Sequence, residues 1–186
     1  MVKKVSFSKQ HQEISQIEVY YTDMKEAARE YFKPRTEKLP ERFLGYTISE
    51  LNNERDERLA ELDRTSSLSI LSAIEAAFRI DYLQRCYKKK KDSLSRAFRK
   101  IHKRKGSKAS FEDDILSAWK ENSSGANKVL EDIKRVYKYR HWPAHGRYWE
   151  PKLGRAKYDY QSTYQLAQIV INSFPFHGID ARRPYL

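Results

Sequence analysis

From about Gln12 to Phe32 the chain places Ile14, Ile17, Tyr20, Tyr21, Met24, Ala28, Tyr31 and Phe32 at the spacing of one helical face, and Pro34 stops the pattern. A polar stretch with Pro40 and Gly45 follows. The next helix is predicted over 49–62, where Ile48, Leu51, Leu59 and Leu62 stand among so many charges that most of it should be solvated. Thr65-Ser66-Ser67 then reads as a new helix start. Over 68–91, Leu71, Ile74, Phe78, Tyr82 and Cys86 keep one register and predict the principal core helix. Leu94, Ala97, Phe98 and Ile101 carry the period onward, and Ser110-Phe111-Glu112-Asp113 reads as a capping box before a short helix with Ile115, Leu116 and Trp119. After the turn Asn122-Ser123-Ser124-Gly125, a further helix buries Ala126, Val129, Leu130, Ile133, Val136 and Tyr137. Pro151 and Gly154 mark a loop. Tyr160, Tyr164, Ala167, Ile171 and Phe174 predict a last helix ended by Pro175, with an irregular tail over 175–186. The expectation is an all-α fold in one domain over 1–186.

Composition narrows the class. At 186 residues the chain can build a real core. A hydrophobic content of 39% with 13% aromatic residues is a folded composition with a charged surface. The net charge of +12 predicts a polyanionic partner, with nucleic acid ahead of an anionic membrane. One cysteine, Cys86, excludes an internal disulfide and suits a reducing compartment. The N-terminus lacks the apolar core of a signal peptide and no apolar run reaches membrane length, so the expected location is cytoplasmic, with no membrane partner.

The positive charge is concentrated. Arg85, Lys88, Lys89, Lys90, Lys91, Arg96, Arg99, Lys100, Lys103, Arg104, Lys105 and Lys108 are interrupted by Asp92 alone among acidic residues. Because apolar residues run through this block at helical spacing, it reads as a structured face for a phosphate backbone, against the alternative of a solvated charge run. Such a face supplies affinity and salt dependence without sequence preference. Neither a Gly-rich phosphate loop nor a CxxC or HExxH pattern is present. Glu112-Asp113-Asp114 suits the first turn of a helix better than a metal site, and Cys86 lies on an apolar stripe as packing. His11, His102 and His177 have no partners that sequence identifies.

The stretch from Tyr137 to Trp149 carries the candidate chemistry. Arg140 occupies the next position of the apolar stripe that ends at Tyr137, and a guanidinium there requires an anion, a subunit contact or a wet cleft. Pro143 removes a backbone donor, so the helix is expected to end or kink near Arg140. Gly146 can take a positive φ and turn His145 back toward Arg140, joining a fixed cation to an imidazole that exchanges protons near neutral pH. On the core helix, Glu75 and Arg79 form an i, i+4 pair. Either this is an ordinary intrahelical ion pair, or Glu75 orients Arg140 or His145.

Arg140, polar His141, and His145 five positions after the arginine resemble the Arg-x4-His motif of the HEPN superfamily, helical nucleotide-binding domains of higher eukaryotes and prokaryotes. Gly146-Arg147-Tyr148-Trp149 looks like the continuation in bacterial members, and the resemblance is strongest over 66–149. It implies an up-and-down helical bundle that forms a homodimer with the motif at the dimer cleft. It also implies a metal-independent endoribonuclease, a toxin or phage-defence effector, with an antitoxin or a nucleotidyltransferase as a further partner. Some toxin members carry a tyrosine two residues after the motif histidine, modified by the nucleotidyltransferase, whereas Tyr148 stands three residues after His145.

On this reading His145 is general base or acid, Arg140 clamps the phosphate, His141 contributes polarity, and Glu75 supports them from behind. Lys88, Lys89, Lys90, Lys91, Arg96, Arg99, Lys103, Arg104 and Arg147 bind RNA, and neither a cofactor nor a metal is expected. The alternative functions are a non-catalytic RNA- or nucleotide-binding module in the same cleft and, less supported, a helical DNA-binding regulator. The structural alternative places Arg140 neutralised at a subunit interface, with His145 merely capping a helix end.

Overall fold

The computed structural model describes residues 4–8, 10–33, 40–123, 125–148 and 158–178, and among these no residue is in a strand. Six α-helices follow in order: α1 (Ile14–Tyr31), α2 (Ile48–Tyr87), α3 (Ser93–Lys105), α4 (Ser117–Asn122), α5 (Asn127–Ala144) and α6 (Tyr160–Ser173). The expected loop at Pro151 and Gly154, Trp149, the Pro34 stop and the tail beyond Gly178 lie outside the described residues.

Helix α2 organises the rest. Its 40 residues span about 60 Å, and α1, α3, α5 and α6 all pack on it. Two separate helices were the expectation here, with a start at Thr65-Ser66-Ser67, and the structure replaces them with one. Inside the helix those hydroxyls bond back to the preceding turn: Ser67 Oγ donates to the Asp63 carbonyl at 2.7 Å and Thr65 Oγ1 to the Glu61 carbonyl at 3.0 Å. The actual start is Thr47, whose side chain accepts from the Glu50 N–H while the Glu50 carboxylate accepts from the Thr47 N–H.

The core residues of α2 largely follow the predicted register. Ile70, Leu71, Ile74, Phe78 and Tyr82 are buried against Phe98 of α3, Trp119 of α4, Leu130 and Ile133 of α5 and Val170 of α6 within one apolar cluster. Phe78 lies at its centre, with ring centroids 5.1 Å from Phe174, 5.8 Å from Phe111 and 6.1 Å from Trp119. Side chains of this size each stabilise the fold by roughly 1.5–3 kcal/mol on full burial. In α6 the buried set is Tyr160, Thr163, Leu166, Ala167 and Val170, while Tyr164 and Ile171 are only partly covered. The helix packs against α2, α5 and α1 together, so its contact face is broader than a single stripe.

One polar pair is inside. Asp81 is 0% exposed and takes Arg85 Nε at 2.8 and 2.9 Å together with the His177 N–H at 2.8 Å. Arg85 also reaches the Pro175 carbonyl at 3.0 Å and Asp92 at 3.3 Å. The pair ties the segment after α6 to α2, and Arg85 leaves the basic surface with which the sequence groups it.

Candidate functional site

Glu75 and Glu61 are fourteen residues apart on α2, which returns them to nearly the same flank with about 21 Å between them. Helix α5 packs on α2, and its C-terminal half and the turn that follows it use one carboxylate each. Glu75 Oε2 accepts the Tyr137 hydroxyl and lies 3.3 Å from Arg140 Nη2. Glu61 Oε2 accepts from Arg147 Nη1, and Arg64 Nη2 reaches the same oxygen at 2.9 Å. His145 is exposed in the turn between the two arginine anchors.

Arg140 combines support with access. Its guanidinium carbon lies 5.1 Å from the Tyr137 ring centroid, its side chain is 30% exposed, and its buried Nε has no hydrogen-bond partner among the described residues. A guanidinium held by one carboxylate and one aromatic face keeps donors for a further acceptor. Arg79 completes the cluster, with Nε 2.6 Å from Glu75 Oε1 and Nη1 3.0 Å from the Ala109 carbonyl. The two readings of Glu75 are thus combined: it pairs with Arg79 along α2 and also touches Arg140.

Electrostatics fit that arrangement. Burial pushes the Glu75 carboxyl upward, but the Tyr137 hydroxyl, Arg79 and Arg140 together hold it below its ordinary range, so it is a carboxylate at neutral pH. Burial and the bond to Glu75 push the Tyr137 hydroxyl the other way, which keeps its proton in place as a donor.

Of the end or kink expected near Arg140, the end lies further on: the helix runs to Ala144 with Pro143 inside its last turn. A proline so near the C-terminus removes only the last part of the hydrogen-bond ladder. The change of direction follows at Gly146 (φ 81°) and Arg147 (φ 57°), and the Arg147 N–H returns to the Trp142 carbonyl at 3.1 Å. Gly146 fits this conformation without a side-chain penalty, whereas Arg147 adopts it while its guanidinium is tied to Glu61. The side chain of His141 lies outside the described set.

No family model, curated protein or solved structure matches the chain.

The remaining predicted residues gather at the far end of α2. Lys88, Lys89, Lys90 and Lys91 are exposed in the turn before α3. Arg96 Nε donates to the Lys91 carbonyl at 2.7 Å and Arg99 Nη1 donates to the Lys90 carbonyl, so two of the predicted cations close this turn. Lys103 and Arg104 are exposed in the last turn of α3, where positive charge complements the helix dipole. Asp114 holds the neighbouring Lys105 at 2.8 Å and accepts from the Ser110 N–H at 2.7 Å, so the acidic run is used in capping. Among the described residues no group of three or more His, Cys, Asp or Glu is placed to hold a metal ion.

Tyr82 stands on α2 between the basic end and the motif cluster. Its hydroxyl donates to the Gly106 carbonyl at 2.8 Å, and Tyr82 is seven residues, about two turns, from Glu75 along α2. Sequence reasoning missed Tyr137 and Glu61 as holders of the two arginines. The available signal was the fourteen-residue repeat of acids on one flank of α2, which becomes readable only once α2 is one helix.

Proposed function

We propose that this protein is a metal-independent endoribonuclease in which Arg140 and His145 act on the scissile phosphodiester. The supporting observation is Arg140 itself: fixed by Glu75 and Tyr137, partly open, and carried on the helix that ends at Ala144, with His145 the first residue of the turn after it. A fixed cation near the end of α5 and an exposed imidazole in the turn that follows it are the two groups that transphosphorylation needs. A base removes the 2′-OH proton, the 2′ oxygen attacks phosphorus, and the bond to the 5′ oxygen breaks as an acid protonates that oxygen. The products are a 2′,3′-cyclic phosphate and a free 5′-OH. Arg140 neutralises the phosphorane, and Glu75 and Tyr137 orient it.

The basic surface from Lys88 to Arg104 holds the RNA backbone in this reading. Arg147 acts first through Glu61, fixing the turn that carries His145, and its remaining donors face the same substrate. The resemblance to HEPN domains extends the proposal to a homodimer and to a toxin or phage-defence role, with an antitoxin or a nucleotidyltransferase as restraint.

The test is total RNA incubated with purified protein in excess EDTA, comparing wild type with His145→Ala and Arg140→Ala. Cleavage that leaves cyclic-phosphate ends should fall by about 10²-fold or more in each variant while folding is retained. Salt-sensitive RNA binding by all three proteins with no cleavage by wild type would instead make the site a binding module.

A further inference from the structure

Most of the exposed large apolar side chains among the described residues collect at the end of the molecule away from the basic turn. Tyr20, Met24 and Tyr31 are exposed on α1, and Leu44 and Tyr46 in the segment before α2 and Ile48 at its first position follow. On α1, Tyr20, Met24, Ala27 and Tyr31 are spaced 4, 3 and 4 residues apart, a heptad stripe beside the face formed by Ile14, Ile17 and Tyr21 that packs inside. A groove of about 640 Å³ runs along this stripe, lined by Met24, Ala27, Ala28 and Tyr31 and walled by Arg58 and Leu62 of α2. Apolar surface gathered in this way marks an interaction site.

The charges beside the stripe select the occupant. Arg42 and Arg58 share one carboxylate, Glu54, at 2.7 and 3.6 Å, and the Arg58 side chain is 63% exposed. The groove wall therefore carries surplus positive charge. On the other border of the stripe stands Asp23, exposed. In heptad terms Asp23 is a g position and Ala28, on the groove side, is an e position. Two parallel helices bring the g flank of one against the e flank of the other, whereas antiparallel helices bring like flanks together. A parallel pair of α1 helices would thus set Asp23 of each copy against the arginine-bearing flank of the other, with the small Ala27 at the closest approach. An antiparallel pair would face arginine with arginine.

The geometry points to a second copy of this chain as the occupant, docked through a parallel α1–α1 contact with Asp23 and Arg58 paired across it. The contact is isologous and closes on a two-fold axis. It lies on the α1 side of α2, whereas Arg140 and Arg147 sit on the flank that carries Glu75 and Glu61, so it differs from the motif-centred dimer that the family resemblance implies. It does not depend on the nuclease reading.

The experiment is mass measurement by sedimentation equilibrium up to the highest soluble concentration, for wild type, Ala27→Glu, Asp23→Arg, Arg58→Asp and the double charge exchange, with helicity checked by circular dichroism. Wild type is expected to reach at least twice 22.1 kDa with rising concentration, and more where the motif-centred contact forms as well, so the α1 contact is read from the loss of mass in the α1-face variants relative to wild type. Ala27→Glu and each single charge variant should weaken association by tenfold or more (on the order of 1.4 kcal/mol), and the double exchange should restore it. A wild type that stays monomeric, single variants that associate to the same mass and with the same affinity as wild type, or a double exchange that restores nothing would each overturn the proposal. RNA cleavage assayed in parallel reports on the motif separately.

Discussion

Asp81 and Glu75 lie six residues apart on α2, about 120° around it, and each holds arginines. Around Asp81 the buried pair is matched from within the protein: Asp81 takes Arg85 and the His177 N–H, and Arg85 also reaches the Pro175 carbonyl and Asp92. Around Glu75 the same chemistry is left incomplete, because Arg140 is partly open and its Nε lacks a partner among the described residues. Their protonation separates in the same sense. Burial pushes Asp81 up from 3.8 to about 6 despite its donors, while the donors around Glu75 prevail and hold it low. A buried ion pair that satisfies itself fastens elements together; one that leaves a cation half-served presents it.

The largest effect should come from breaking that buried pair. Arg85→Ala leaves Asp81 without its main partner in the interior, and the unfolding free energy should fall by about 3–5 kcal/mol, measured by urea titration at neutral pH. Part of that loss should return at lower pH, where Asp81 takes up a proton. A loss of only a few tenths would show that the pair is not fastening α2 to the segment after α6.

Glu75→Ala should cost less, about 1–3 kcal/mol, chiefly from the buried Tyr137 hydroxyl left without an acceptor. Glu75→Gln keeps an acceptor and should recover most of that stability. RNA cleavage should fall in both, since each removes the charge that orients Arg140. If cleavage follows stability and returns with glutamine, Glu75 is a structural hydrogen-bond acceptor and the contrast with Asp81 weakens.

Acidity offers a sharper contrast because the signs are opposite. The folded state binds the Asp81 proton more tightly than the unfolded chain does, so the contribution of that group is fullest on the acid side of the ordinary carboxyl range and is lost as pH rises through about 6. Glu75 is held low, so its contribution is present above the ordinary range and lost as pH falls toward its folded value. Between about pH 4 and pH 7 the stability of wild type relative to Asp81→Asn should decline, while that relative to Glu75→Gln should rise over the acid part of the range. Slopes of the same sign would end the distinction.

The helical class and the core register of α2 were legible because Leu71, Ile74, Phe78, Tyr82 and Cys86 repeat at one period. Arg140 was legible as a cation in need of an anion, since it interrupts an apolar stripe. The holders of the arginines were not, because Tyr137 and Glu61 act across sixty and more residues of sequence, and which helix flank faces which depends on packing. The end of α5 was misplaced because a proline rule that holds in a helix interior loses most of its force in the final turn. The break assigned to Thr65-Ser66-Ser67 failed for a related reason: the hydroxyls that cap a free helix end bond back equally well to carbonyls inside a helix.

That last error supplies the smallest and most discriminating prediction. The register that sets Glu61 and Glu75 on one flank of α2, and Asp81 on another, exists only if the helix passes through Thr65 unbroken. Thr65 is exposed, and among the described residues its hydroxyl serves only the carbonyls of Glu61 and Leu62 at 3.0 and 3.1 Å. In a continuous helix Thr65→Ala removes a β-branched residue and a competing hydroxyl, and should stabilise the protein by a few tenths of a kcal/mol, about 0.5. Were Thr65 the N-cap of a second helix, the same substitution would remove an acceptor for the first-turn N–H groups and destabilise by about 1 kcal/mol. The sign of the change in the urea midpoint at constant m-value decides between them. A destabilising result would break α2 in two, and with it the common flank that brings Arg140 and Arg147 to either side of His145.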